Sequence, residues 1–521
     1  MKKRLLLSIV PCALSLGACA LFPSEDEVEI DPPYIELSEK MKINLQSAQT
    51  YKYLSPELFN SSTKNPTYTF KSSNEKVATV NSKGKVTALK AGTTKITATL
   101  KTNSDVKAST TVTVVDETKP HYDYTLMYYM TGSTLEYDPD EETETERRIG
   151  LITRDLQEIL SVNGLSDSVR ILVQTGGAEK WCMPAEKLEK ATKISSTNLQ
   201  RWEMNNDTQK LKLVDTLSTN KMASSVSLGD FLDWGLEDYE ATQMGIIFSG
   251  HGGGIAGCGY DDNYLDDGGY ANTLNSVEMS KGFRHALNNS AKNKFTWVGY
   301  DCCLMQCADL ASVNADYFEY MVGSQEEENG TGWDHDHYIK LIKDNSNVAP
   351  TTLLSDICDS FVNENHPGYE NTYGENCLQT LSVLDLSKMD EFITAFNAFS
   401  EALGTDEVAY QKAGTAFRSS YNKFGDKLYG LCDMNSFMNS FTGYTEQRQA
   451  VKDAVSELVI KNKYCSNYST IPCGVNAFYP VSLSKKYPLQ VGEADYTDSG
   501  SFEATKFKDW QDMCLMFGKF F

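Results

Sequence analysis

The sequence predicts two domains of different class: an α/β domain built on a parallel sheet, preceded by a small all-β sandwich. Apolar runs at Tyr124–Met130, Val169–Gln174, Met244–Phe248 and Phe295–Tyr300, with a further one at Glu319–Gly323, alternate with helix-favouring stretches. Strands separated by helical patterns argue a parallel sheet flanked by helices. Between Glu36 and Asp116 the texture differs: Lys85-Val-Thr-Ala-Leu-Lys and Thr94-Lys-Ile-Thr-Ala-Thr-Leu alternate with period two, with turn signals at Gly84 and Gly92. That pattern gives half-buried strands of a sandwich. The length, 521 residues, leaves room for two to four folded units at roughly 100–200 residues each.

The elements follow in order. Lys2, Lys3 and Arg4 precede the mostly apolar run Leu5–Leu16, which is too short to span a bilayer and reads as a signal peptide. Gly17-Ala18-Cys19 resembles the bacterial lipobox, which implies removal of residues 1–18 and diacylation of Cys19, a membrane anchor made of lipid alone. Residues 19–35 are acidic and Pro-containing and read as a tether. The all-β domain occupies 36–116, a linker 117–122, and the α/β domain with a C-terminal subdomain 123–521. The last part of the chain carries no motif that chemistry alone singles out.

Composition narrows the function. With 71 acidic against 48 basic side chains the formal net charge is -23, a surface that repels phosphate backbones and argues against a nucleic-acid partner. Of the 13 cysteines, Cys12 leaves with the leader and Cys19 takes lipid. The odd remainder leaves at least one free thiol in an exported protein, and the spacings form neither a disulfide framework nor a CxxC…CxxC zinc pattern.

In open parallel sheets, sites form beyond the carboxyl ends of strands. Two strand ends here carry reactive groups: Ser249-Gly-His251-Gly-Gly-Gly after the Met244–Phe248 run, and Asp301-Cys302-Cys303-Leu304 after Phe295–Tyr300. An imidazole and a thiol so placed suit a cysteine nucleophile whose proton the histidine manages. The glycines let backbone N–H groups approach a developing oxyanion. Of six histidines, His251 is the one that both follows an apolar strand and sits among glycines. His121 lies in the linker, His285 in a helical pattern and His366 before a proline, while His335 and His337 read as a solvated loop and not as a metal site. Rival readings fail on context. There is no G-x-S-x-G elbow for an esterase and no G-x-x-x-x-G-K-[ST]. Gly252, Gly254 and Gly257 fit G-x-G-x-x-G, but an acidic loop follows where a dinucleotide fold needs a helix. At this point Cys302 and Cys303 remain alternatives; on a continuing strand they face opposite ways, so only one meets His251.

These residues resemble the clostripain family of cysteine peptidases, relatives of caspases, gingipains and legumain. The resemblance runs from Tyr124 to the C-terminus through Ser249-Gly-His-Gly-Gly-Gly, Gly299-Tyr-Asp-Cys-Cys-Leu-Met, Val322-Gly-Ser-Gln-Glu-Glu, Gly330-Thr-Gly-Trp, Gly430-Leu-Cys-Asp-Met and Gly474-Val-Asn-Ala-Phe-Tyr-Pro. It implies a caspase-like α/β/α sandwich with a C-terminal extension and an endopeptidase acting on protein or peptide substrates. The family's Asp-x-Cys pattern selects Cys303 as nucleophile. His251 is then the general acid/base, Asp301 supports the site, and the N–H groups of Gly252 and Cys303 form the oxyanion hole. It further implies cleavage after Arg or Lys, with an S1 carboxylate drawn from Asp334, Glu326 and Glu327. The chemistry requires no cofactor, and calcium is possible; Asp261-Asp262…Asp266-Asp267 is the loop with the donors for it, although it reads first as a solvated loop. No Lys or Arg lies between His251 and Lys281, where relatives self-cleave, which leaves Lys180, Lys187 and Lys190. The segment Val77–Ala98 resembles the bacterial Ig-like group 2 module, a spacer or adhesion domain. The alternative function is a catalytically silent surface protein that keeps the peptidase fold for binding.

Overall fold

A computed structural model describes residues 32–265, 271–363, 379–412, 430–466, 468, 470–480 and 506–517. The expected leader and the lipidation site at Cys19 lie outside them, as do Asp266 and Asp267. The chain divides between Glu117 and Thr118 into two compact units.

In the first unit, strand Gly92–Leu100 turns Thr94, Ile96, Ala98 and Leu100 inward and leaves Lys95 in solvent. It pairs with Lys107–Val115 and Tyr68–Ser72, and Lys40–Asn44 completes a four-stranded sheet. Tyr51–Tyr53, Lys85–Ala88 and Ala78–Val80 form a second sheet. The Ala78–Val80/Lys85–Ala88 hairpin is closed by Asn81, whose Oδ1 accepts the N–H groups of Lys83 and Lys85 at 2.9 and 3.0 Å. Ile43, Val86, Ile96, Val112 and Val114 fill the space between the two sheets.

The second unit is built on a ten-stranded sheet. Its strands are β1 (Tyr122–Thr131), β2 (Val169–Gly176), β3 (Leu188–Glu189), β4 (Gln200–Asn205), β5 (Lys210–Thr216), β6 (Ala241–Ser249), β7 (Phe295–Asp301), β8 (Phe318–Gly323), β9 (Thr380–Asp385) and β10 (Val459–Tyr464). They lie in the order β3-β5-β4-β2-β1-β6-β7-β8-β9-β10. The middle five, β2-β1-β6-β7-β8, are parallel. These are the five apolar runs that the sequence marks. Strands β4 and β5 on one side and β9 and β10 on the other join antiparallel, so the C-terminal extension continues the same sheet. Sequence periodicity missed these outer strands because they are short and partly polar.

Side chains of β1 divide between two cores, as period two requires. Tyr124, Leu126, Tyr128 and Met130 pack with α1 (Leu151–Ile159) and with α4 (His335–Asp344) and α5 (Pro350–Phe361). Met127 and Tyr129 pack with α2 (Ser225–Asp238) and α3 (Ser276–Asn288) on the opposite face. The result is an α/β/α sandwich. Ser224 and Asn275 cap α2 and α3 by accepting backbone N–H groups, which fixes where each helix begins. Lys461 and Lys463 on the edge strand β10 pair with Asp359 at 2.6 and 3.3 Å. Among the described residues no helix is long and apolar enough to cross a membrane.

The β6–β7 pair depends on a missing side chain. Gly245 faces Trp297 across the ladder, and a Cβ there would meet the indole at 2.3 Å. The same indole Nε1 donates to Tyr124 OH at 2.7 Å, so it is not free to move aside. Gly245→Ala is expected to destabilise the second unit by about 1–3 kcal/mol through overpacking, read as a lowered denaturant midpoint.

Candidate active site

Strands β6 and β7 run parallel in a register that sets Ser249 against Asp301. His251 and Cys303 each stand two residues beyond that pair, so both follow the carboxyl ends of adjacent parallel strands. Gly252 seals the arrangement: a Cβ on it would lie 2.2 Å from the Cys303 carbonyl oxygen and 3.0 Å from the Cys303 nitrogen. The Gly250 N–H donates to the Asp301 carbonyl at 3.4 Å, and Gly252 forms a β-bridge with Cys258. Immediately after the thiol, Leu304 takes φ 67, a left-handed conformation unusual for leucine. It is held there by its N–H bond to the Glu326 carbonyl at 3.1 Å.

The paired cysteines point into different surroundings. Cys302 is buried in the core, its Sγ donates to the Phe248 carbonyl at 3.4 Å, and it lies against the Cys258 thiol. Cys303 is half-buried, and its Sγ accepts the Glu328 backbone N–H at 3.2 Å. Burial, then the carboxyl of Glu328, pushes the Cys303 thiol up to about 12. Burial lowers His251 to about 4, against a smaller opposing pull from Asp138. The resting pair is therefore a thiol and a neutral imidazole. Thr134 Oγ1, one turn past the end of β1, lies 2.9 Å from His251 Nε2, and Tyr260 packs edge-on against the ring.

Asp301 ends β7 with its carboxylate buried. Its partner is His335, whose Nε2 lies 3.0 Å from Asp301 Oδ2. Here the structure corrects the sequence reading. His335 is not in a solvated loop but is wholly buried at the start of α4, while His337 is exposed and paired with Asp356 at 3.0 Å. Among the described residues, Asp155, Asp301 and His335 bring donor atoms within 4.8 Å of one another, a spacing that could hold a cation. Both ring nitrogens of His335 already have partners, however, in Asp301 and Tyr338. The acidic loop is also different from expectation. Cys258–Leu265 is a strand paired with Ala271–Leu274, and the buried carboxylate of Asp261 accepts the backbone N–H groups of Met222, Ala223 and Asn263.

The three S1 candidates sit on the segment after β8. Glu326 is buried, Glu327 is exposed, and Asp334 is the residue before α4. Sequence reasoning passed over Thr134 and Glu328, and read His335 as part of a solvated loop. Thr134 could have been found from its place beyond the carboxyl end of a parallel strand. Glu328 carries no local signal, since a loop brings it to Cys303 from beyond β8, whereas His335 shares a helical face with Tyr338, Ile339 and Ile342.

The comparisons agree with this geometry. Residues 35–115 match the bacterial Ig-like domain (group 2). No curated protein sequence is significantly similar to the chain. Among solved structures it is similar to a secreted C11 cysteine protease from Bacteroides thetaiotaomicron in complex with an irreversible peptide inhibitor, at 15% identity and a TM-score of 0.50, covering 75% of this chain and 99% of that one. An inactive zymogen C11 protease from Parabacteroides distasonis is similar at 17% identity and a TM-score of 0.50, with the same coverage. Likeness at such identity shows the shared fold. Residues 148–497, well over half of the chain, match the Clostripain family, and the chain belongs to that family of cysteine proteases.

Proposed function

We propose that this cysteine protease is an endopeptidase working through a His251/Cys303 dyad, with a preference for Arg or Lys before the scissile bond. The observation that supports the reading is the Ser249/Asp301 register, since His251 and Cys303 each follow that pair by two residues beyond the carboxyl ends of adjacent strands. Thr134 occupies Nε2 of His251, which leaves Nδ1 for proton exchange. As substrate binds, the imidazole takes the Cys303 proton and the sulfur attacks the peptide carbonyl carbon. The N–H groups of Gly252 and Cys303 receive the oxyanion. The histidine then protonates the leaving amine, and a water activated by the same ring hydrolyses the thioester. An acid among Asp334, Glu326 and Glu327 would pair with the substrate guanidinium or ammonium. The chemistry needs no metal, and calcium would act on the loops around the site.

The leader motif supports a lipid anchor at Cys19, facing outside the cytoplasm. Cys19→Ser should abolish labelling by a fatty-acid probe. Exposed Lys180 is already bonded to Tyr137 OH at 2.7 Å. Lys190, exposed and at φ 57, is the better self-cleavage site of the basic residues, and intact-mass measurement reads this directly.

Hydrolysis of fluorogenic Arg and Lys peptides tests the dyad, with and without calcium. Cys303→Ala should abolish turnover while Cys302→Ala retains most of it; equal turnover in wild type and Cys303→Ala would sink the dyad, and no turnover in wild type would leave a binding module. Among Asp334→Asn, Glu326→Gln and Glu327→Gln, the S1 acid is the one whose loss costs kcat/KM for Arg substrates most. Gly252→Ala should lower kcat/KM by about 100-fold or more, because the added carbon displaces the Cys303 backbone from its position; unchanged thermal stability would separate this from unfolding.

A further inference from the structure

Behind Cys303 lies a buried polar network that the cleavage steps do not use. His335 Nε2 is 3.0 Å from Asp301 Oδ2, its Nδ1 is 2.7 Å from Tyr338 OH, and that hydroxyl is 2.6 Å from Tyr128 OH. An imidazolium fits this pattern: Nε2–H donates to the carboxylate, Nδ1–H to Tyr338, and Tyr338 passes its proton on to Tyr128. Burial alone would lower His335, but the Asp301 bond and the charges of Asp155, Asp301 and Glu158 outweigh it and raise the ring to about 9. The network reaches the sulfur by two routes. Asp301 is two residues from Cys303 along the chain. Its carboxylate also accepts the Trp333 N–H at 3.4 Å and lies beside the Glu328 carboxyl, and the Glu328 backbone N–H is the group that touches Cys303 Sγ. The Glu328 carboxyl is held against the Asp301 carboxyl and Trp333, and burial raises it well above the usual carboxylate range.

The groups that face this centre are Asp155, Glu158 and Arg154 from α1, Tyr128 from β1, and Asp301 and Cys303 at the end of β7. Glu328 and Trp333 come from the segment after β8, and Tyr338 from α4. Four of them are carboxyls. Burial raises Asp155, Glu158 and Glu328 above the usual carboxylate range, which leaves Asp301, in direct contact with His335, as the carboxylate behind a sulfur that must itself become negative.

We propose that His335 is a positioning residue for the nucleophile: it anchors Asp301 and the Glu328 amide against Cys303 and cancels the negative charge behind the sulfur. The proposal rests on Cys303 being the nucleophile. Removing the imidazole should leave Asp301 buried and unpaired, so that the thiolate forms at higher pH.

The test uses full-length protein. Iodoacetamide alkylation of Cys303, followed by peptide mass spectrometry across pH, is measured in wild type, His335→Gln, Tyr338→Phe and Asp301→Asn/His335→Gln, beside kcat and KM. In His335→Gln the midpoint for Cys303 alkylation should move about one pH unit or more to the alkaline side. Its kcat should fall at least tenfold, with KM within about twofold. The double variant, with both charges gone, should return the midpoint towards wild type. Tyr338→Phe keeps the ring and loses one acceptor; it should show a smaller displacement of the same sign and carries the test if His335→Gln does not fold. A wild-type midpoint in every folded variant overturns the proposal, as does one equivalent of tightly bound metal that is lost in His335→Gln. Full turnover by Cys303→Ala would instead defeat the dyad, so the two failures are distinguishable.

Discussion

The pairing of Ala241–Ser249 with Phe295–Asp301 is the constraint on which the site depends. Neither His251 nor Cys303 is positioned by its own loop alone; each is carried to the site by a strand buried on both faces. A parallel ladder has one register that keeps all these apolar side chains covered. The core that stabilises the sheet therefore also fixes where the loops carrying His251 and Cys303 begin. Gly245 and Gly252 mark the two places where that pairing needs a bare backbone, one against an indole and one against the nucleophile's own peptide.

Much of this was legible in the sequence, for physical reasons. Buried parallel strands must be continuous apolar runs, so Tyr124–Met130, Met244–Phe248 and Phe295–Tyr300 stand out, and with them the residues at their ends. His251 was selected by scarcity and glycine context. Choosing Cys303 over Cys302 required a family pattern; the structure shows the two thiols in different surroundings, one bonded within the core and the other at the Glu328 amide. The outer antiparallel strands were not legible because strands such as Lys210–Thr216 are short, largely polar and only partly buried, and so resemble surface segments. His335 was misread because a Trp-Asp-His-Asp-His-Tyr run looks hydrophilic in one dimension. Only helical periodicity, with His335, Tyr338, Ile339 and Ile342 on one face, reveals that its first histidine is internal.

The electrostatics divide the site into two parts. In front, a half-buried thiol and an imidazole are both held neutral by desolvation. Behind, carboxyls and one imidazolium form a compact charged cluster. Such a division keeps the Cys303 thiol protonated in the resting protein, a state of low reactivity towards electrophiles.

Leu304 draws a further consequence from the corner after Cys303. A left-handed leucine costs on the order of 1–2 kcal/mol in backbone energy. Its side chain is 1% exposed, and such burial is worth about 1.5–3 kcal/mol, enough to hold the corner in place. The margin is thin. The peptide after Cys303 is thus a loaded spring whose catch is ordinary hydrophobic packing. Loosening the core around Leu304 would let the corner relax and turn the sulfur away, even with every catalytic atom still present.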